Sequence, residues 1–323
     1  MKKRIFLCLL CAFLLCGNSH AAEQDILHWV DFRVDCRALQ EALELDIASQ
    51  GEEKPLSWID ILALTATYTG GSDFPSSQIQ KSAELLRGDQ SPAEFLGKQY
   101  KYYAYYHRAY TAVLGGLVGH YAIEVTNRQT GEEELRPCYG LKAFSPIAAG
   151  YSYSHYADFG KRRSYGFSRP HLGNDLMGAL GTPIIAVESG TVEALGWNQY
   201  GGWRIGIRSD DTLRYYYYAH LQKDQPYAKG LEVGKRVKAG DVIGFMGRSG
   251  YSVKENVNNI DTVHLHFGLQ LVFDESQKEC NSEIWVDVYD IVKLLASHRS
   301  SVQKNPSTGQ WERIYPYTDL DQT

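Results

Sequence analysis

Hydrophobic positions follow two different periods along the chain, and the change falls near residue 120. Between residues 26 and 118, apolar side chains recur at intervals of three and four, as at Leu39, Leu43 and Ile47, which is the spacing of one helical face. From about residue 140, short runs rich in Val, Ile, Tyr and Thr alternate with Gly, Asn and Asp, which is typical of strands and turns. No helical period alternates with these strands, so the pattern favours an antiparallel sheet over a parallel β/α sheet.

Helix boundaries are marked at two places. The run Ser91–Glu94 combines a capping Ser, a Pro at the first helical position and a Glu at the reciprocal capping position. It predicts a helix that reaches Leu114, with a weak point at Gly97. Residues 284–298 return to a helical period, and the residues beyond them predict an extended tail.

The chain of 323 residues is long enough for about two domains. We therefore predict a two-domain α+β protein, in which an N-terminal α-helical region precedes a compact antiparallel β-sheet domain and a C-terminal helix. The predicted divisions are a signal peptide at 1–22, a helical domain of unknown role at 23–120, a linker at 121–145, the β domain at 146–275, and the C-terminal helix and tail at 276–323.

The N-terminus has the features of an export signal. Basic residues at Lys2–Arg4 precede the apolar run Ile5–Cys16, which is shorter than the roughly 20 residues of a bilayer span. Small residues near Ala21 suit cleavage, so we expect a protein secreted or held in the cell envelope, without a stable membrane span after signal removal. An uncleaved anchor is one alternative. A lipoprotein modified at Cys16 is another, although Leu15 stands where a small residue is wanted.

Charge and cysteine content exclude some classes of function and of metal site. The formal net charge is −5, and loss of the basic leader makes the mature chain more acidic, so we expect no binding to nucleic acid. Cys36, Cys138 and Cys280 remain after the leader, which allows at most one internal disulfide. We favour buried free thiols, and no C-x-x-C pair suggests a structural zinc site.

Histidines supply the candidate chemistry. His171 and Asp175 lie four residues apart around a glycine, and both residue types bind zinc. On a strand, His264 and His266 share one face, so they can serve as two ligands, or as one ligand and one acid–base group. His220 closes the aromatic strand that precedes it, where it is either functional or hydrogen-bonded in the core.

These segments together indicate a catalytic metal site. Three protein ligands with an open fourth position are typical of catalytic rather than structural zinc. Nearby histidines exchange protons close to neutral pH, and zinc lowers the pKa of bound water to about 7. A zinc ion with bound water and nearby proton-exchanging histidines suits the hydrolysis of amide bonds.

Four ordered motifs carry a family resemblance: H-L-G-N-D at 171–175, Y-A-H-L at 218–221, G-R-S-G at 247–250 and H-L-H-F at 264–267. The segment from about 140 to 275 resembles a lysostaphin-type zinc endopeptidase domain, from the bacterial family that cuts peptidoglycan. The resemblance implies a zinc metalloendopeptidase with a small antiparallel sheet and one zinc per chain. The implied substrate is a stem or cross-bridge peptide of peptidoglycan.

The resemblance also implies residue roles. His171, Asp175 and His266 are expected to bind the zinc, and His220 and His264 are expected to be the catalytic histidines that help to activate water and stabilise the oxyanion. Because the family has inactive members that lack ligands, the complete set in this chain favours an active enzyme.

Two features leave alternatives open. The polar stretch Tyr251–Thr262 departs from the family pattern and predicts a loop beside the groove, which puts substrate specificity in doubt. The helical region leaves room for an envelope-protein partner, and hence for a noncatalytic scaffold or activator of other wall hydrolases. Its tyrosines, between Tyr102 and Tyr110, favour helix packing over a sugar-binding wall module.

Overall fold

The computed structural model describes residues 26–278 and 282–321. The predicted signal peptide at 1–22 lies outside these residues, and so does Cys280, whereas Cys36 and Cys138 are free thiols. Within the described residues, no helix has both the length and the apolar character that a bilayer crossing requires.

Helices fill the N-terminal region, as the hydrophobic period predicted. They are α1 (Cys36–Ala48), α2 (Trp58–Thr69), α3 (Ser76–Arg87), α4 (Pro92–Leu96) and α5 (Tyr100–Leu114), followed near the C-terminus by α6 (Tyr289–Leu295). The predicted start at Ser91 is confirmed, because its backbone N–H donates to Glu94 Oε2 at 2.6 Å. Gly97 interrupts the helix, since its φ of 52° is left-handed and glycine adopts that conformation without a Cβ clash.

Seventeen strands are described. They are β1 (Val118–Thr126), β2 (Glu133–Leu141), β3 (Tyr153–His155), β4 (Arg162–Tyr165), β5 (Phe167–Pro170), β6 (Asn174–Gly178), β7 (Pro183–Ile185), β8 (Gly190–Asn198), β9 (Gly202–Ser209), β10 (Arg214–Ala219), β11 (Arg236–Val237), β12 (Val242–Phe245), β13 (His264–Leu271), β14 (Ile284–Val286), β15 (Val302–Lys304), β16 (Trp311–Arg313) and β17 (Tyr317–Asp319).

The largest sheet has the strand order β11-β8-β9-β10-β13-β6-β3, with β14 beside β13. Its pairings are antiparallel, which confirms the predicted sheet type and, with the helical region, the α+β class. Smaller antiparallel units are formed by β1 with β2 and β17, β7 with β12, β15 with β16, and β4 with β5.

Regular structure extends into the segments expected to be a linker and a tail. β1 and β2 form a hairpin inside the predicted linker 121–145, and β17 adds a third strand to it. Tyr317 on β17 is buried, so the tail contributes to packing. The domain boundaries themselves stay a prediction.

The expected helix at 284–298 is shorter than predicted, because its first residues form β14. One edge of β13 pairs with β6 only as far as Phe267. The backbone of Leu269–Leu271 then pairs with β14, which satisfies polar groups that burial would otherwise leave without partners. The helix α6 is limited to Tyr289–Leu295.

A buried ion pair joins the helical region to the sheet. Arg214 on β10 donates from Nε to Glu188 Oε2 at 2.8 Å, and its Nη1 donates to the carbonyl oxygens of Thr111 and Ala112 in α5. The guanidinium of Arg214 thus supplies donors to carbonyl groups at the end of α5, where helical partners are lacking. Buried hydrophobic side chains also form one continuous core across both regions.

Candidate active site

Strand register brings together candidate site residues that lie far apart in the sequence. β13 pairs with β6 so that His266 lies opposite Asp175, and with β10 so that His266 lies opposite Ala219. His220 follows at the end of β10, and His171 lies three residues before the start of β6. All five predicted site residues therefore line one groove.

Three donor atoms converge beside the sheet. His171 Nε2 and His266 Nδ1 are 2.7 Å apart, and Asp175 Oδ1 lies 3.1 Å from the first and 3.4 Å from the second. These residues are the group of His, Cys, Asp and Glu side chains that could hold a metal ion among the described residues. Asp175 Oδ1 is buried and accepts no hydrogen bond from that part of the chain, so a carboxylate lone pair is available at the centre of the set.

The glycine of the H-L-G-N-D motif is needed at this point. A Cβ on Gly173 would lie 2.8 Å from His266 Nε2 and 2.6 Å from the carbonyl oxygen of Phe267. Both contacts are too short for carbon, so the imidazole of His266 can approach this backbone only if residue 173 lacks a side chain.

Electrostatics favour a charged carboxylate between the histidines. Burial alone raises the pKa of Asp175, but the nearby imidazoles of His171 and His266 hold that pKa well below its usual range. Burial lowers the pKa of His171, yet the carboxylates of Asp158 and Asp175 raise it to about 9. The pKa of His266 is lowered, chiefly by burial. A metal ligand set requires an ionised Asp and neutral imidazoles, so metal binding would release the proton that His171 holds at neutral pH.

Two residues that the sequence patterns missed support this set. Asp158 lies behind His171, with its carbonyl oxygen 3.2 Å and its carboxylate 3.3 Å from His171 Nδ1. Arg163 pairs with the carboxylates of both Asp158 and Asp175. A partner at Nδ1 fixes the imidazole orientation and leaves Nε2 as the ligand atom. No spacing signal marks these residues, since Asp158 lies in a loop and Arg163 on the separate hairpin β4–β5.

His220 and His264 form a second pair with matching hydrogen bonds. Each Nδ1 lies 2.9 Å from a backbone carbonyl oxygen, that of Ser249 for His220 and that of Thr262 for His264. In the neutral form of each ring, Nδ1 therefore carries the proton and Nε2 is the atom with the free lone pair. The ring centroids are 4.6 Å apart, and His264 Nε2 lies 3.8 Å from Asp175 Oδ1.

The backbone and burial of His220 are unusual. Its φ of 62° is left-handed, a conformation that costs free energy for a residue with a Cβ and is found mainly at functional sites. Burial, with a smaller contribution from His264 and His266, lowers the pKa of His220 well below its usual value. The imidazole is therefore neutral at pH 7.

The groove has a volume of about 410 Å³ and aromatic walls. Tyr251, the first residue of the polar insert, stacks on Tyr165 of the hairpin β4–β5 with centroids 4.9 Å apart. Phe167 of the same hairpin contacts Tyr200 edge to face. The insert and the hairpin thus border the groove together, in agreement with the expected position of the insert.

An antiparallel sheet that presents a His–Asp–His donor set beside two more histidines has the architecture of a metallopeptidase domain. The family model of Peptidase family M23 matches residues 169–279. This segment is an M23 domain, and it contains every candidate metal and catalytic residue, so the family resemblance seen in the sequence is confirmed.

Relatives with curated names include several cell-wall peptidases. The chain is 40% identical over 130 residues to the L-Ala–D-Glu endopeptidase of Bacillus subtilis, which is 40% of this chain and 38% of that protein. It is 32% identical over 114 residues to the peptidoglycan DD-endopeptidase ShyC of Vibrio cholerae, which is 34% of this chain and 23% of that protein. The chain thus spans well under two thirds of these relatives.

One similar solved structure is the catalytic domain of the antimicrobial peptidase lysostaphin from Staphylococcus simulans. The identity is 31%, the match covers 44% of this chain and 92% of that domain, and the TM-score is 0.34.

Proposed function

We propose that this chain is an exported zinc metalloendopeptidase that hydrolyses peptide cross-links of bacterial peptidoglycan. The observation that carries the proposal is the convergence of His171, Asp175 and His266 at one end of a groove that also holds His220 and His264. The names of the M23 relatives, an L-Ala–D-Glu endopeptidase and a peptidoglycan DD-endopeptidase, support the same reaction class.

The donor set fits zinc. Two imidazoles and one carboxylate are typical of a catalytic zinc site with an open position, and the buried Asp175 Oδ1 has no hydrogen bond from the described residues. His171, Asp175 and His266 would hold the ion. When bound, zinc supplies a Lewis acid that polarises the substrate carbonyl and makes water more acidic.

The remaining steps belong to His220 and His264. In the neutral imidazole of each, Nε2 is the proton acceptor, because Nδ1 donates to a backbone carbonyl oxygen. One imidazole can accept the proton of the attacking water and pass it to the leaving amide nitrogen. The other can donate a hydrogen bond to the developing oxyanion once it is protonated. The aromatic walls orient the peptide across these two groups.

Export to the cell envelope is part of the same proposal. It rests on the charged and apolar segments of the predicted leader, and the lack of a membrane-crossing helix in residues 26–278 and 282–321 is consistent with it. The envelope-protein partner of the helical region stays a prediction.

Digestion of purified cell wall tests the proposal. The mature protein with one equivalent of zinc should release soluble peptides with new amino termini, which mass spectrometry assigns to a bond. Activity should disappear with a chelator and return with zinc. No zinc-dependent release from any wall preparation would contradict the proposal.

A matched variant separates catalysis from scaffolding. His264→Ala should bind zinc but release no peptides. If that variant stimulated other wall hydrolases as well as the wild type does, and the wild type itself released nothing, the scaffold alternative would be correct.

A further inference from the structure

Two arginines in the groove have no acidic partner among the described residues. Arg169, at the end of the hairpin β4–β5, and Arg204, on β9, both line the groove that holds the candidate metal ligands. Within residues 26–278 and 282–321, Arg169 Nη1 and Arg204 Nε are buried and have no hydrogen-bond partner.

Aromatic rings hold the guanidinium group of Arg169 in place. Its Cζ lies 4.5 Å from the ring centroid of Tyr200 and 5.6 Å from that of Tyr251, which are cation–π distances. Both arginines line the groove together with Tyr217, whose ring contacts His266 at a centroid distance of 5.8 Å.

Structural arginines of this chain behave differently. Arg208 pairs with Glu193, and Arg214 pairs with Glu188. Arg163, in the same groove, pairs with Asp158 and Asp175. A buried donor left without an acceptor costs free energy. Arg313 has such donors outside the groove, but its guanidinium also pairs with Asp241. Arg169 and Arg204 line one groove without an acidic partner among the described residues, which indicates an acceptor that arrives with the substrate.

We propose, on the basis of the proposed endopeptidase function, that Arg169 and Arg204 bind a free carboxylate of the peptide substrate beside the scissile bond. A guanidinium binds a carboxylate with charge-assisted, often bidentate hydrogen bonds. The groove thus selects an acidic stem-type peptide, and a cross-bridge built from glycine alone, which has no side-chain carboxylate, is a poor substrate.

Nearby charges agree with an anionic ligand. Lys278 also lines the groove and pairs with Glu193, and Glu283 lines it while accepting a hydrogen bond from Trp285 Nε1. Asp175 is occupied by Arg163 and the histidines. Asp175 thus has a cationic partner, whereas Glu283 is bonded to the neutral indole of Trp285. The cationic groups of Arg169 and Arg204 remain for the substrate.

Binding of matched peptides tests the proposal. The probes are the tetrapeptide L-Ala-γ-D-Glu-L-Lys-D-Ala, the same peptide with both carboxylates converted to carboxamides, and pentaglycine amide. Calorimetry on zinc-loaded His264→Ala, which prevents turnover, should show the acid binding at least tenfold more tightly than the amide, the size of a charge-assisted hydrogen bond. Arg169→Gln and Arg204→Gln, made in that background, should remove most of this preference while the affinity for the amide is unchanged.

Controls make the result specific. Arg162→Gln changes an exposed arginine of the same hairpin, which is bonded to Ser168, and it should keep the full preference for the acid over the amide. Arg169→Lys should keep part of this preference. Melting temperatures identify a variant that has lost its fold, and Arg204→Lys then replaces Arg204→Gln. Equal binding of acid and amide, or tighter binding of pentaglycine, would overturn the proposal.

The two proposals can fail separately. Acid-selective binding without any zinc-dependent wall hydrolysis would contradict the endopeptidase function and leave the carboxylate site intact. Zinc-dependent hydrolysis at equal rates for the acid and the amide would support the endopeptidase function and contradict the carboxylate site.

Discussion

A His–Asp pair occurs in both regions of this molecule, with different surroundings. In the helical region, His107 Nε2 lies 3.2 Å from Asp60 Oδ1, and the two side chains are 46% and 34% exposed. In the β region, His171 Nε2 lies 3.1 Å from Asp175 Oδ1, with exposures of 7% and 8%. The pair distance is almost the same, so distance alone does not distinguish a surface ion pair from a candidate metal site.

The partners of the carboxylate make the difference. Asp60 also accepts a hydrogen bond from Tyr103 at 2.6 Å, so its Oδ1 is satisfied within the protein. Asp175 Oδ1 faces a second imidazole, His266, and accepts no hydrogen bond from the described residues. A third donor and an unsatisfied buried carboxylate oxygen therefore distinguish the candidate metal site from the surface pair.

The largest expected effect is loss of the metal. His266→Ala should reduce zinc content from about one per chain to near zero and abolish hydrolysis, because one of three ligands is removed, and the melting temperature should fall since metal binding is coupled to folding. His107→Ala is the matched control in the helical region and should keep zinc and activity. Elemental analysis of both variants measures the outcome, and stoichiometric zinc in His266→Ala would show the ligand assignment to be wrong.

Loss of turnover without loss of zinc is the next largest effect. His264→Ala and His220→Ala should each retain zinc while turnover falls at least about a hundredfold, because positioned acid–base groups contribute about 10²–10⁴ in rate. Zinc content and wall hydrolysis are measured together. Full activity in either variant would remove that histidine from the mechanism, and zinc loss in His264→Ala would make it a ligand.

The next effect is a loss of folding stability when the buried Arg214–Glu188 ion pair at the junction between the two regions is removed. Arg214→Ala should lower the free energy of unfolding by about 3–5 kcal/mol, because it leaves Glu188 buried without its charge partner. Arg236→Ala removes the exposed pair with Asp210 and should cost about 0–1 kcal/mol. Urea denaturation measures both. Equal small losses would mean that the helical region and the sheet do not depend on this contact.

The smallest effect is a pH dependence of opposite sign in the two regions. The hydrogen bond to Asp60 raises the pKa of His107, so its stabilisation is present below about pH 6.5 and is lost as the pH rises through the raised value. Burial lowers the pKa of His155 to about 4, so the fold loses stability as the pH falls from about 6.5 to 4.

Melting temperatures between pH 4 and 8 check this pair. His155→Phe keeps a ring against Tyr289 and should flatten the acid side of the wild-type profile. His107→Gln should lower the melting temperature mainly below pH 6.5. Parallel profiles for both variants would contradict the assigned signs.

Local patterns were enough for much of the fold and for naming candidate site residues, whose roles came from the family resemblance and stay a prediction. Alternation along β13 predicted that His264 and His266 share a face, and Leu265 and Phe267 are indeed buried on the other side. The capping residues at Ser91 and the weak point at Gly97 predicted the start and the interruption of a helix. These features depend on neighbours a few residues away, which a sequence displays directly.

Other features depended on contacts between distant segments. β14 formed where a helix was expected, because an unpaired stretch of β13 needed backbone partners. Asp158 and Arg163 reach the ligand set, and Arg169 and Arg204 reach one groove, only through strand register and loop closure. Residue type and strand alternation were sufficient to indicate which residues could bind a metal and which face of a strand they occupy. Which side chains meet, and which buried charges are left without a partner, depends on the folded chain, because those distances are set by packing between strands rather than by spacing along the chain.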